Sequence, residues 1–260
     1  MKKASILILA GALGGLGACG PTGPSSPPPA PAASRAPAAP SGYLAPPSLT
    51  ASQVSGARVF LSGRAAPAAH VRLASPDGDA MFTDADAKGL WRLSVSQTPA
   101  PQLFGLSMTV DGRQVQAQGY VLVTPKGRAA LLRAGAGAVT LDRGGAPRIT
   151  ALDFDAEGGA VVSGLAPSDT PITVSVDDRQ MGEGRSDAAG RFSIVLSQPL
   201  SAGQHRLQIS GESWDASANY NVTPAGPVAG APYHGRVEGE DVRVDWITPG
   251  GGLQTTLVRN

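Results

Sequence analysis

Slid against itself by 101 residues, this 260-residue chain matches Phe60–Thr98 to Val161–Pro199 without a gap. Ser62-Gly63 meets Ser163-Gly164, Ala65 meets Ala166, Asp86-Ala87 meets Asp187-Ala188, Gly89 meets Gly190 and Trp91 meets Phe192. The register persists on both sides with small indels. Pro47 and Leu49-Thr50-Ala51 pair with Pro147 and Ile149-Thr150-Ala151, and Val123-Thr124-Pro125 pairs with Val222-Thr223-Pro224. Any one match could be chance, but their collinear order means a duplicated unit, so one account of the fold has to serve both copies.

The unit is written in period two. Val71 and Leu73 correspond to Ile172 and Val174, Trp91, Leu93 and Val95 to Phe192, Ile194 and Leu196, and Met108 and Val110 to Leu207 and Ile209. Val121 and Val123 correspond to Tyr220 and Val222. Alternation of this kind places apolar side chains on one face of an antiparallel strand and polar ones on the other. Turn signals separate the rows: Pro76-Asp77-Gly78, Asp86-Ala87-Lys88-Gly89, Asp111-Gly112 and Asp187-Ala188-Ala189-Gly190. Thirty-four glycines, 23 prolines and 5% aromatics argue against long helices. Short, evenly spaced strands repeated over a unit of this size predict two tandem seven-strand antiparallel β-sandwiches, an all-β fold.

Ser-Gly-x-Ala at 62–65 and 163–166, followed by an alternating strand and then Asp-x-x-Gly-x-aromatic at 86–91 and 187–192, resembles the bacterial Ig-like (Big-type) domains repeated in envelope and surface proteins. The resemblance implies an Ig-like sandwich and a binding role without naming a ligand, because this scaffold hosts many functions. Antibody-type domains pair two core cysteines. Here the only cysteine is Cys19, so the sandwiches must stand on packing and strand pairing alone.

Two stretches fall outside the repeat. In 126–146, Leu131-Leu132 and Val139-Thr140-Leu141 suit last strands or a bridge between the sandwiches, and a short helix over 129–134 is the other reading. In 227–260, Val242, Val244 and Trp246 alternate with Arg243 and Asp245, Pro249-Gly250-Gly251-Gly252 turns, and 253–259 returns. This predicts a β-hairpin whose apolar face the second sandwich or a partner covers, since an isolated hairpin is marginal.

The N-terminus predicts destination. Lys2 and Lys3 precede an apolar stretch from Ile6 to Leu16, too short to span a bilayer core, and Leu16-Gly17-Ala18-Cys19 resembles a bacterial lipobox. Residues 1–18 are therefore read as a lipoprotein signal peptide and Cys19 as the lipid attachment point, whose thiol is alkylated and whose freed amine is acylated. Each buried methylene of such chains contributes about 0.8 kcal/mol to membrane binding. Gly20 in place of an acidic residue favours the outer membrane. Residues 19–46 form a Pro/Ala-rich linker, a partly polyproline II tether that reaches on the order of 60–80 Å. The expected order is then 47–146 as the first Ig-like domain with its connecting segment, 147–226 as the second, and 227–260 as the hairpin extension.

Without Lys2 and Lys3, 19 basic side chains face 20 acidic ones, and no basic stripe interleaved with aromatics suggests nucleic acid. His70, His205 and His234 lack the spacing of a zinc site, and no G-x-S-x-G elbow or phosphate-cradling loop is present. Asp77, Asp79, Asp84 and Asp86 could offer oxygens to calcium, but Asp178, Gln180, Arg185 and Asp187 occupy those places in the second copy. Asp86 and Asp187 read better as turn formers. No cofactor, metal or catalytic constellation is expected. The aromatics Trp214, Tyr233 and Trp246 either fill the second sandwich and hairpin or offer an interaction surface. The expectation is a non-catalytic envelope lipoprotein that binds or positions another envelope or surface protein, with a glycan (peptidoglycan or surface polysaccharide) as the alternative partner.

Overall fold

In the computed structural model, residues 42–141, 145–226, 228 and 230–260 are described. The expected signal peptide, Cys19 and the linker up to residue 41 lie outside the described residues. Every regular element among the described residues is a β-strand.

The period-two rows become strands in matched order. The first copy supplies β1 (Ser48–Ser55), β2 (Arg58–Arg64), β3 (His70–Ala74), β4 (Ala80–Asp84), β5 (Leu90–Ser96), β6 (Gln102–Val110) and β7 (Arg113–Val123). Two short strands follow, β8 (Ala129–Leu132) and β9 (Val139–Thr140). The second copy runs β10 (Arg148–Asp155), β11 (Ala160–Leu165), β12 (Pro171–Val176), β13 (Arg179–Arg185), β14 (Arg191–Val195), β15 (Gly203–Ser210) and β16 (Asp215–Val222). The chain ends with β17 (Tyr233–Glu238), β18 (Asp241–Ile247) and β19 (Leu253–Arg259).

Each copy builds the same antiparallel sandwich of three strands against four. In the first, β1-β2-β5 faces β4-β3-β6-β7, and in the second, β14-β11-β10 faces β13-β12-β15-β16. Even the irregularities repeat: a register shift falls between Leu49 and Ala51 and again between Ile149 and Ala151. Inward residues form two separate cores. Val59, Leu61, Val71, Trp91, Met108 and Val121 fill one, and Leu152, Val162, Val174, Phe192, Leu207 and Tyr220 fill the other.

The two motifs of the repeat are one packing solution. A Cβ on Gly63 would strike the Ser48 carbonyl of the neighbouring strand and lie 2.6 Å from the Trp91 ring, and one on Gly164 would strike the Arg148 carbonyl and lie 2.7 Å from the Phe192 ring. The glycine of Ser-Gly thus makes room for the aromatic of Asp-x-x-Gly-x-aromatic. The aspartate of the second motif sets the turn, because Asp86 Oδ1 accepts from the Lys88 and Leu90 amides, both at 2.8 Å, and Asp187 Oδ1 accepts from the Ala189 and Arg191 amides at the same distance. Gly63→Ala or Gly164→Ala should cost about 1–3 kcal/mol each in urea denaturation, because backbone on one side and a packed ring on the other leave little room to relax. A neutral result would mean that both the ring and the neighbouring strand are free to move aside.

Outside the repeat the chain ties the copies together. β8 and β9 extend the first copy's four-stranded sheet beyond β7, so within 129–134 residues 129–132 form a strand and no helix. The expected hairpin is β18 and β19, and β17 joins it to make a three-stranded meander. That meander adds to the second copy's sheet through β19, which pairs with β10 from Ala151↔Val258 to Asp155↔Gln254. Its apolar face is covered by the first sandwich rather than by the second sandwich or a partner, the covers expected from the sequence. Val242, Val244, Trp246 and Val258 pack with Ala151 against Leu103, Leu122, Ala130 and Leu132, the outward residues of β6, β7 and β8. The result is four sheets separated by three cores, and strands β10, β18 and β19 are buried on both faces along most of their length.

Candidate functional site

The third core is apolar at its centre and pinned by polar groups at its margin. Asp153, on the face of β10 turned toward the first sandwich, is 2% exposed. Its Oδ1 accepts from the Thr256 hydroxyl (2.6 Å) and the Gln254 amide (3.0 Å), and its Oδ2 accepts from the Ala138 backbone N–H (2.7 Å). Gln254 Oε1 in turn accepts from the Gly135 N–H at 3.0 Å. Ala138 and Gly135 belong to the β8–β9 connection, so this carboxylate clasps the extension of the first copy to the second. Burial raises its pKa to about 6, against the lowering effect of those three donors and of Arg133. On the opposite face of β18, Arg243 and Asp245 are also buried, with the guanidinium Nε 3.0 Å from Asp245 Oδ1 and Nη2 2.7 Å from the Thr223 carbonyl.

The sequence-predicted aromatics separate into two groups. Trp246 is 1% exposed in the third core, edge-on to Tyr120 with ring centroids 5.6 Å apart, and its indole N–H donates to Thr256 Oγ1 at 3.0 Å. Tyr233 packs half-buried against the same core, and its hydroxyl accepts from the Leu103 N–H at 3.4 Å. Both are spent on holding the chain's own sheets together. Trp214 stands apart, partly buried beside the second core in the β15–β16 loop. Cys19 lies outside the described residues.

None of the histidines sits in a catalytic arrangement. His70 pairs with Asp84 on the exposed edge of the first sandwich, and His234 is exposed on β17. His205 holds a turn: Nδ1 lies 2.7 Å from Asp177 Oδ2, and Nε2 lies 2.8 Å from the Ser201 carbonyl oxygen. Burial alone would lower its pKa, but the hydrogen bonds to Asp177 and to the Ser201 carbonyl raise it on balance. A raised histidine stabilises the fold fully below its unfolded pKa of about 6.5 and loses that contribution as pH rises through the folded value. His205→Ala should therefore cost about 1 kcal/mol at pH 5.5 and less at pH 9, read from urea midpoints. Equal costs at the two pH values would show that the imidazolium contributes nothing. Among the described residues no group of three or more His, Cys, Asp or Glu could hold a metal ion.

Two concavities bear on binding. The larger, about 590 Å³, lies between the sandwiches and holds Arg133, Arg185 and Arg191. Each guanidinium is already engaged: Arg133 with the Ala136 and Gly137 carbonyls at 2.9 and 3.1 Å, Arg185 with the Asp169 carbonyl, and Arg191 with Asp187 at 3.2 Å. The second, about 350 Å³, lies at the loop end of the second sandwich between the β11–β12 and β15–β16 loops, with Trp214 in its wall.

Sequence reasoning missed the buried polar set. Arg243 and Asp245 fall at alternate positions, as solvent-facing residues do, and Asp153 falls in an otherwise ordinary strand. The one available signal was the unbroken hydrophobicity of neighbouring strands such as Val121-Leu122-Val123, which implies burial on both faces.

No protein-family model matches this chain, and no curated protein matches it. Solved structures do overlap parts of it. A central fibronectin-III array of RIM-binding protein is 15% identical, with 79% of this chain and 72% of that chain covered, at a TM-score of 0.26. A biofilm-associated protein BSP domain is 16% identical over 65% of this chain and 28% of that chain, at a TM-score of 0.25. A calcium-stabilised, ice-binding adhesin of an Antarctic bacterium is 11% identical over 77% and 86%, at a TM-score of 0.23.

Proposed function

We propose that this chain is a non-catalytic, lipid-anchored envelope protein that holds a coupled pair of Ig-like sandwiches away from the membrane to bind or position another envelope component. The observation that carries the reading is the third core. Tandem domains that only need to be strung together do not require a shared apolar interior, whereas here the last three strands are devoted to fixing the copies against each other. A fixed pair at the end of a long tether presents its loops in a defined orientation, which favours recognition over passive spacing. Cys19, as the lipid attachment point, would supply the membrane end, with the outer membrane as destination.

The leading partner is another envelope or surface protein. The second reading is a glycan, favoured by the Trp214 pocket. Replacing Cys19 by Ala should abolish palmitate labelling and release the protein from the membrane fraction. Crosslinking in intact cells should then recover a specific envelope protein with the wild type and lose it with the unanchored variant. If the wild type retains palmitate but captures neither a protein nor sacculi, the binding role is wrong and only an anchored spacer remains.

A further inference from the structure

The duplication provides an internal control: features common to both copies build the sandwich, and features of one copy alone need another explanation. The copies differ where two loops meet at one end of the sandwich. In the first copy, β6 and β7 are joined by the two-residue turn Asp111-Gly112, with φ of 50° and 72°, the geometry of a tight hairpin. In the second copy, the matching connection is Gly211-Glu212-Ser213-Trp214, closed by the Gly211 N–H donating to the Trp214 carbonyl at 2.9 Å. Gly211 is required there, because a Cβ would lie 2.5 Å from the indole. The facing β2–β3 and β11–β12 loops diverge as well. Ala65-Ala66-Pro67-Ala68-Ala69 in the first copy becomes Ala166-Pro167-Ser168-Asp169-Thr170 in the second. Both departures border the same 350 Å³ pocket, which lies in the lower part of the roughly 300–1,000 Å³ range of small-ligand clefts.

We propose that this loop-end pocket of the second sandwich is a saccharide-binding site, with Trp214 as the stacking wall and Glu212, Ser213, Thr173 and Ser210 as the hydrogen-bonding groups. The proposal rests on the binding reading above and gives that reading a site and a ligand class. A sugar ring presents an apolar C–H face and a rim of hydroxyls, so it needs one aromatic surface beside several groups that can both donate and accept. The pocket offers that combination, with Pro167 and Pro171 completing the apolar side. Thr170 is already committed, its hydroxyl donating to the Pro167 carbonyl at 2.8 Å. The side chains of Thr173, Ser210, Glu212 and Ser213, and the indole N–H of Trp214, make no hydrogen bond among the described residues, and all border the pocket. A quaternary ammonium would also accept an aromatic wall and a carboxylate, but it prefers several aromatic faces and has no use for three hydroxyls. A protein partner would need a wider apolar patch than one half-buried indole provides.

The test uses the full chain with tetrasaccharides of glucose, N-acetylglucosamine and mannose, and with choline chloride. Trp91 and Trp246 are 3% and 1% exposed, so Trp214 is the indole that acrylamide reaches. At least one tetrasaccharide should protect the wild type from acrylamide quenching and bind in calorimetry. Trp214→Ala and Glu212→Gln should each weaken that binding roughly tenfold or more, while Trp214→Phe retains most of it. The proposal is overturned if no tetrasaccharide binds, if binding survives Trp214→Ala, or if choline alone protects the indole. Capture of a protein partner in intact cells, with no tetrasaccharide bound, would remove this site and leave the general binding reading standing. Glu212 is exposed, so its variant keeps the test valid should Trp214→Ala fail to fold.

Discussion

Replacing Trp246 by Ala should lower stability by about 3–5 kcal/mol and split a single unfolding transition into two. The side chain is the largest among the most deeply buried residues, and the cavity left would open between sheets rather than within either sandwich. Its indole N–H is the donor to Thr256 Oγ1, and that hydroxyl donates onward to Asp153 Oδ1, so truncation also loosens the polar clasp at the margin. Neither the Trp91 core nor the Phe192 core loses a contact residue, so each sandwich keeps its own reason to fold. Trp246→Phe preserves most of the volume and forfeits the hydrogen bond, for an expected loss of about 1–2 kcal/mol. Calorimetry of the two variants against the wild type decides it. One cooperative transition in Trp246→Ala, shifted by less than about 1 kcal/mol, would mean that the sandwiches are not coupled through this core.

The same residue shows how far a single sequence reaches. Parity placed Trp246 with Val242 and Val244 on one covered face, and the strands bear that parity. Identifying what covers that face was a different problem. Leu103 and Leu122 sit next to inward-facing Phe104 and Val121, and an apolar residue of odd parity carries no label for the neighbour it meets. The repeat exposed the sandwich because two copies can be compared, and it marked the glycine and the aromatic in both, though not that one makes room for the other. The meander occurs once and pairs with β10 about 100 residues earlier, so no local pattern announces it. Charge misled more than hydrophobicity did. Arg243 and Asp245 alternate as surface residues would, yet they satisfy each other in the interior, and a sequence does not distinguish a paired buried charge from a solvated one. The loop pocket was half legible: Trp214 stood out as an aromatic, while Thr173 and Ser210 became its neighbours only through strand pairing.

Stability should rise as the solution is acidified from pH 8 toward pH 4, and Asp153 should contribute directly to the rise. Its folded pKa is about 6 against an ordinary value of 3.8, because burial penalises the charged form more than its donors repay. Between those values the native state holds a proton that the unfolded chain has lost, so the stabilisation is fully present below the unfolded pKa and is lost as pH rises through the folded one. A shift of about two units corresponds to about 3 kcal/mol over that window. Asp241, half buried and also raised to about 6, and His205, also raised, add slopes of the same sign, so the wild-type curve alone does not separate them. Asp153→Asn does. Asparagine removes the titration but points one N–H at a donor, whichever way its amide is turned, since Ala138 N–H lies on one side and Thr256 and Gln254 on the other. The variant should be weaker than the wild type by about 2–4 kcal/mol near pH 4.5, with the gap narrowing by about 2 kcal/mol by pH 8. A wild-type minus variant difference that stays flat across this range, measured by urea denaturation, would show that Asp153 does not titrate between pH 4.5 and pH 8.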